Sequence, residues 1–188
     1  MFDLKRMAET LFEERRLGWM RRDISYFAPG MEGETVAAHA YFTAQTAFIL
    51  AHLAGNPNHH RIALMALFHD SPETRTGDIP RTNSRYVAKD DAKALDEKFG
   101  DWQPGVLIKG LIKEFEAGET EEAKLAQDAD VIAFLVSLFL LEPLGVQGVQ
   151  ERYEKNFARL KTEEGRTLAG QLRATGYMDW WQKARWGK

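Results

Sequence analysis

Apolar residues in this chain recur at helical spacing and almost nowhere alternate with polar ones. Val36, Ala40, Ala44, Phe48 and Leu53 repeat every four or five positions, with Phe42 and Ile49 beside them. Val131, Ile132, Phe134, Leu135, Leu138 and Leu141 do the same in a second, greasier run. Steps of three and four residues keep side chains on one helical face, whereas a half-buried strand needs a period of two. No segment sustains alternating β-branched and polar residues, so the pattern predicts an all-α protein. Helices are expected at roughly 2–14, 35–54, 60–71, 83–98, 104–117, 119–141, 145–161 and 163–175. Gly55-Asn-Pro-Asn58 breaks the second from the third, and Gly77-Asp-Ile-Pro80 opens a turn. Thr82-Asn-Ser84 offers caps for the helix after that turn. Gly118-Glu-Thr120 begins a long helix with acids in its first turn, and Pro143 and Gly145 stop it.

Composition narrows this to one soluble unit. A length of 188 residues suits a single domain with a sizeable core. There is no low-complexity tract, internal repeat or dividing linker, so residues 1–188 are expected to form one domain, with residues 145–188 as a C-terminal helical annex. The net charge of −3 provides no general field for nucleic acid. The absence of cysteine excludes disulfides, a thiolate zinc site and a cysteine nucleophile. The N-terminal Met-Phe-Asp-Leu-Lys-Arg lacks a long apolar region, so no signal peptide is expected. Ala47–Ala51 and Val131–Leu141 are too short to cross a bilayer. A cytoplasmic protein with neither a nucleic-acid nor a membrane partner is the expectation.

The chemistry concentrates at His69-Asp70, which closes the apolar stretch Arg61–Phe68. An imidazole and a carboxylate side by side are costly in a core unless both face a cation. On a continuous helix they lie about 100° apart and could reach one ion between them. Pro72 supplies no amide to the Phe68 carbonyl, so the helix must end or kink, swinging Glu73 toward the same point. His39 lies near the buried face of the second helix. Asp130 heads the greasy run and is expensive to bury without a cation; Asp128, about 200° round the helix, is the competing choice. Asp130 lies nearer the apolar face. Two histidines and two aspartates suit one divalent ion of intermediate hardness: manganese, cobalt, iron, magnesium or zinc.

The order His39, His69-Asp70, Asp130 resembles the HD-domain metal-dependent phosphohydrolases. Arg16-Leu-Gly-Trp19, Glu34-Thr-Val-Ala-Ala-His39, His69-Asp-Ser-Pro-Glu73, Thr76-Gly-Asp-Ile-Pro80 and Asp128-Ala-Asp130 are similar to motifs of the 5′-deoxynucleotidase branch. The matched region runs from about residue 16 to 141. The resemblance implies an HD-type helical bundle that releases phosphate from (deoxy)nucleoside 5′-monophosphates. It implies His39, His69, Asp70 and Asp130 as ligands of one metal ion per chain, and Glu73 and Asp78 as the acidic pair around the attacking water. Arg16 matches an arginine near the phosphate and sugar, with Trp19 beside it. A homodimer follows from the same resemblance and from the aromatic C-terminus.

The chain also departs from the family pattern. Ala38 stands where an acid often precedes the first histidine, which weakens the expectation of a supporting carboxylate for His39. Residues 145–188 match no motif. Glu73 is followed by Thr74, which argues against the two-acid pattern of guanosine tetraphosphate hydrolases. The alternatives are an HD phosphohydrolase acting on a di-, tri- or cyclic nucleotide, and a non-catalytic helical module stabilised by its metal. His59-His60 reads as a solvated helix start, Lys89–Lys98 as a charged face, and the terminal tryptophans as packing or a subunit contact. Arg21-Arg22 reads as an anion-steering or solvated pair.

Overall fold

A computed structural model describes residues 3–22 and 33–187. Among them lie ten α-helices: α1 Leu4–Glu14, α2 Val36–Leu53, α3 His59–Phe68, α4 Glu73–Thr76, α5 Asp91–Phe99, α6 Gly105–Ala117, α7 Glu121–Leu141, α8 Val149–Phe157, α9 Glu163–Ala174 and α10 Asp179–Trp186. A 3₁₀ turn, Arg15–Gly18, follows α1, and another, Glu142–Leu144, follows α7. The only strand-like feature of the described residues is a bridge between Arg21 and Thr35. No described helix is long and apolar enough to cross a membrane.

The two greasy runs become the central helices. In α7, Leu125, Ala129, Ile132, Leu135 and Leu138 are buried, and they pack with Ala47, Leu50 and Ala51 of α2 and Ile62, Met65 and Ala66 of α3. Val149, Leu160 and Ala169 close the same core from the C-terminal annex. A smaller cluster of Leu95, Phe99 and Ile112 joins α5 to α6. At about 25 cal/mol per Å² of apolar area removed from water, such burial is the main force holding these helices together. The helix starts carry the expected chemistry: Thr35, Thr120 and Thr162 accept from Ala38 N, Ala123 N and Gly165 N, at 3.1, 3.1 and 2.9 Å.

Several expected boundaries move. The third helix ends at Phe68 rather than 71, so His69 and Asp70 sit in the turn that follows it, with Ser71 N donating to Phe68 O at 2.9 Å. Pro72 then caps a separate one-turn helix, α4, that the apolar pattern does not announce. The helix expected over 83–98 begins only at Asp91, capped by Asp90 accepting from Lys93 N at 2.9 Å. Thr82-Asn-Ser84 caps nothing; Asn83 N and Ser84 N turn back onto Pro80 O. Gly145 and Gly148 adopt left-handed φ of +80° and +74°, so α8 starts four residues late. The last helix, α10, was not foreseen, and position 2 of the first expected helix lies outside the described residues.

Candidate metal centre

The packing of α2 against α3 and α7 brings three distant segments to one point. His39 from α2, and His69 and Asp70 from the turn after α3, place one donor atom each within 4.8 Å of one another. Asp130 from α7 joins them, its Oδ1 2.9 Å from His39 Nε2 and 4.0 Å from His69 Nε2. Asp70 Oδ1 is 3.1 Å from His69 Nε2. All four residues expected as ligands are therefore together.

The histidines present the right nitrogen. His69 Nδ1 donates to Ala66 O at 2.7 Å, and a carbonyl only accepts. In the neutral imidazole this leaves the Nε2 lone pair aimed at the carboxylates, the form a metal ligand needs. His39 is fully buried, its Nε2 facing Asp130 and, at 3.3 Å, Thr43 Oγ1. His39 Nδ1 has no hydrogen-bond partner but lies 3.8 Å from Glu34 Oε2. The acid beside that nitrogen is thus Glu34, five positions before the histidine and beyond hydrogen-bond distance.

The cluster draws positive charge. Burial opposes an imidazolium at His69, yet the Asp70 and Asp130 carboxylates raise its pKa to about 9. Burial likewise opposes ionisation of Asp70 and Asp130, but the two imidazoles and Arg22 hold both carboxyls below the usual range. Two carboxylates and two imidazoles with their Nε2 atoms turned inward fit a divalent cation well.

Further acids surround this cluster. Glu73 opens α4, and burial, followed by the charges of Asp70 and Asp78, pushes its carboxyl up to about 8 against the pull of Lys89. Lys89 Nζ lies 3.4 Å from Glu73 Oε1. Asp78 and Asp130 line a cavity of about 390 Å³. Arg22 lines it too, its Nη1 3.5 Å from Asp70 Oδ2. Arg16 and Trp19 do not line it. Both are exposed on and just after the 3₁₀ turn, with Arg15 stacked 5.4 Å over the Trp19 ring. The arginine that reaches the cluster is Arg22.

Asp128, the competing choice, has a separate role. Asp128 is fully buried, but it accepts from Lys161 N, Thr162 N and Thr162 Oγ1 at 2.8, 2.8 and 2.6 Å and anchors the start of α9. The helical turn separates the two roles: Asp130 faces the metal centre, Asp128 the annex.

Behind the turn, Lys98 is almost fully buried. It donates to Ser71 O and Thr74 Oγ1, each at 2.9 Å, and lies 2.8 Å from Glu14 Oε1, an ion pair not aligned for a hydrogen bond. The sequence reading placed Lys98 on a charged face. It instead braces the segment that carries Glu73.

The HD-domain profile matches residues 13–169. The chain belongs to the HD-domain family. Among the relatives of this HD-domain protein, the 5′-deoxynucleotidase of Erwinia tasmaniensis is 32% identical over 147 residues, spanning 70% of this chain and 74% of the relative. A 5′-deoxynucleotidase of an Enterobacter species is 33% identical over 150 residues, with the same coverage. A predicted metal-dependent phosphohydrolase of Magnetospirillum magnetotacticum superposes with a TM-score of 0.70 at 25% identity, covering 91% of each chain. A Pyrococcus horikoshii protein, at 23% identity, shares the fold with a TM-score of 0.74 over 89% of this chain and 96% of its own. With this lineage and donor set, the protein is an HD-domain metal-dependent phosphohydrolase.

Proposed function

We propose that this phosphohydrolase releases phosphate from nucleoside 5′-monophosphates, their deoxy forms included. The observation that carries this reading is the placement of two further acids, Glu73 and Asp78, beside a cluster that already offers four candidate ligands. A purely structural metal site has no need of them. The named 5′-deoxynucleotidase relatives support the substrate class.

His39, His69, Asp70 and Asp130 would hold one divalent ion. Such an ion neutralises phosphoryl oxygens and lowers the pKa of water. Glu73 takes the proton of the attacking water; burial and the neighbouring acids Asp70 and Asp78 make its carboxylate a stronger proton acceptor than an ordinary one. Lys89 holds the Glu73 carboxylate in place. Asp78 orients the water or assists proton transfer to the leaving 5′ oxygen. Arg22 pairs its planar fork with the phosphate. Arg16 and Trp19 are assigned to the rim, where the sugar passes. A homodimer and a cytoplasmic location belong to the same proposal.

The test is phosphate release from a panel of deoxy- and ribonucleoside 5′-monophosphates by chelator-stripped protein, with each divalent metal restored in turn and Asp70→Ala as control. Release that depends on metal and is lost in the variant supports the reading. No release from any monophosphate, with metal binding intact, overturns it in favour of other nucleotides or a non-catalytic module.

A further inference from the structure

Two kinds of lining meet in the cavity beside the metal centre. Asp130, Asp78 and Arg22 make its polar end, with Arg22 Nη1 3.5 Å from Asp70 Oδ2. Val131, Phe134 and Ile79 are apolar and line the same space. On the annex side the polar groups hold one another. Arg152 Nη1 donates to Gln147 O, Arg159 Nη1 to Asn156 Oδ1 and Asn156 Nδ2 to Arg152 O, each at 2.8 Å, while Lys155 pairs with Glu151. Arg81 is exposed.

The apolar lining has no use in binding phosphate or water, because apolar surface is stabilised only when another surface covers it. Phe134 packs partly against the α2–α3–α7 core and leaves its remaining surface to the cavity. Its register on α7 sets a distance. Phe134 follows Asp130 by four residues, so it stands one turn further on the same face, about 6 Å along the axis. That rise matches the width of the sugar that separates a 5′-phosphate from its base. Val131 lies between them, three residues before Phe134. The loop between α4 and α5 repeats the order: an acid, Asp78, then an apolar side chain, Ile79, lining the same cavity. At about 390 Å³ the space is of a size that holds small molecules.

We propose that Phe134, with Val131 and Ile79, forms the shelf on which the nucleobase lies while the 5′-phosphate is at the metal centre. This rests on the nucleoside-monophosphate reading of that centre. Phe134 is a positioning residue: it selects base-bearing phosphates over bare sugar phosphates and takes no part in bond breaking.

Deoxyadenosine 5′-monophosphate and 2-deoxyribose 5-phosphate, which carries a hydroxyl in place of the base, serve as probes. Calorimetry on the metal-free chain is expected to show the nucleotide binding about tenfold tighter or more, the effect of one base–aromatic stack. In Phe134→Ala that ratio falls toward one, and Phe134→Tyr, which keeps the ring, restores it. Ile79→Asn, on a loop outside the core, lowers the ratio without opening a core cavity. In the loaded enzyme, Phe134→Ala and Ile79→Asn lower kcat/KM for the nucleotide more than for the sugar phosphate, and do so through KM. Equal affinity of the wild type for the two probes overturns the shelf. So does an equal loss of both in the variants, which marks Phe134 as packing only. Preferential binding of the nucleotide without cleavage of either probe sinks the hydrolase reading and leaves the shelf standing. Cleavage of both without preference does the reverse.

Discussion

His39 Nε2 and Asp130 Oδ1 stand 2.9 Å apart although 91 positions separate them in the chain. No local rule of sequence brings them together. The contact exists because α2 and α7 are both apolar enough to be buried side by side, and His39 and Asp130 face each other across that packing. A buried histidine and aspartate with no cation between them must share a proton or leave charge uncompensated.

Removing Asp130 should therefore differ sharply from removing its neighbour Asp128. Asp130→Ala is expected to abolish tight binding of a divalent metal and, with it, the rise in melting temperature on metal addition. At a hundredfold excess over Kd, that rise corresponds to about 2.7 kcal/mol in the wild type. Asp128→Ala should keep metal binding but lose roughly 2–4 kcal/mol of stability, because three part-buried donors lose their acceptor. Thermal melts with and without chelator distinguish the two. Identical behaviour of the variants would refute the division of roles.

Glu73→Gln removes the proton acceptor while keeping shape and burial. Metal affinity should stay within a few-fold of wild type and kcat should fall by about 10² to 10⁴. Full turnover in this variant would remove Glu73 from the role of base.

Glu34 lies on the Nδ1 side of His39, 3.8 Å from that nitrogen, and Ser137 Oγ donates to Glu34 at 3.4 Å. Glu34→Ala should weaken metal binding by about 10- to 100-fold, the usual effect of losing the partner of a metal-binding histidine. Titration calorimetry with manganese reads this directly. An unchanged Kd would show that His39 is held by packing alone.

Lys98→Met keeps the volume of the stem but deletes the charge between Glu14, Ser71 O and Thr74 Oγ1. Breaking such a buried pair costs about 3–5 kcal/mol. Urea denaturation should show a lower midpoint, with Glu73 losing its fixed position as the brace fails. A stability change under ~1 kcal/mol would mean that water replaces the ammonium.

Glu13 predicts an acid dependence of stability. Burial raises its pKa, but hydrogen bonds from Arg75 and Thr74 and the charges of Lys98 and Arg75 hold it at about 2, below its ordinary 4.5. A carboxyl whose pKa is depressed by folding contributes stability that is complete above the unfolded value and lost as pH falls through the folded one. The melting temperature of the wild type should therefore drop between pH 4.5 and 2 more steeply than that of Glu13→Gln. Parallel curves would show that the Glu13–Arg75 pair adds nothing to stability.

The sequence alone determined the helical class, from a period that depends only on neighbours three and four residues apart. It also pointed to the residues of the His/Asp cluster, because a polar pair such as His69-Asp70 at the end of an apolar run is costly without a ligand. What it left undecided depended on direction. Local spacing ranked Asp130 above Asp128 for the site, yet only the packing of α7 against both α2 and the annex showed that Asp128 is the fully buried one and that each serves a different neighbour. Arg22 rather than Arg16 reaches the cluster because its backbone pairs with the segment entering α2, Arg22 N donating to Glu34 O and Val36 N to Met20 O, each at 2.9 Å. The cations of α8 face the cavity because Val149 and Leu160 are buried in the core on either side of them. Helical period is set by the backbone within one turn. Which side of a helix meets which partner is set by apolar burial summed over distant segments, and that only the tertiary structure decides.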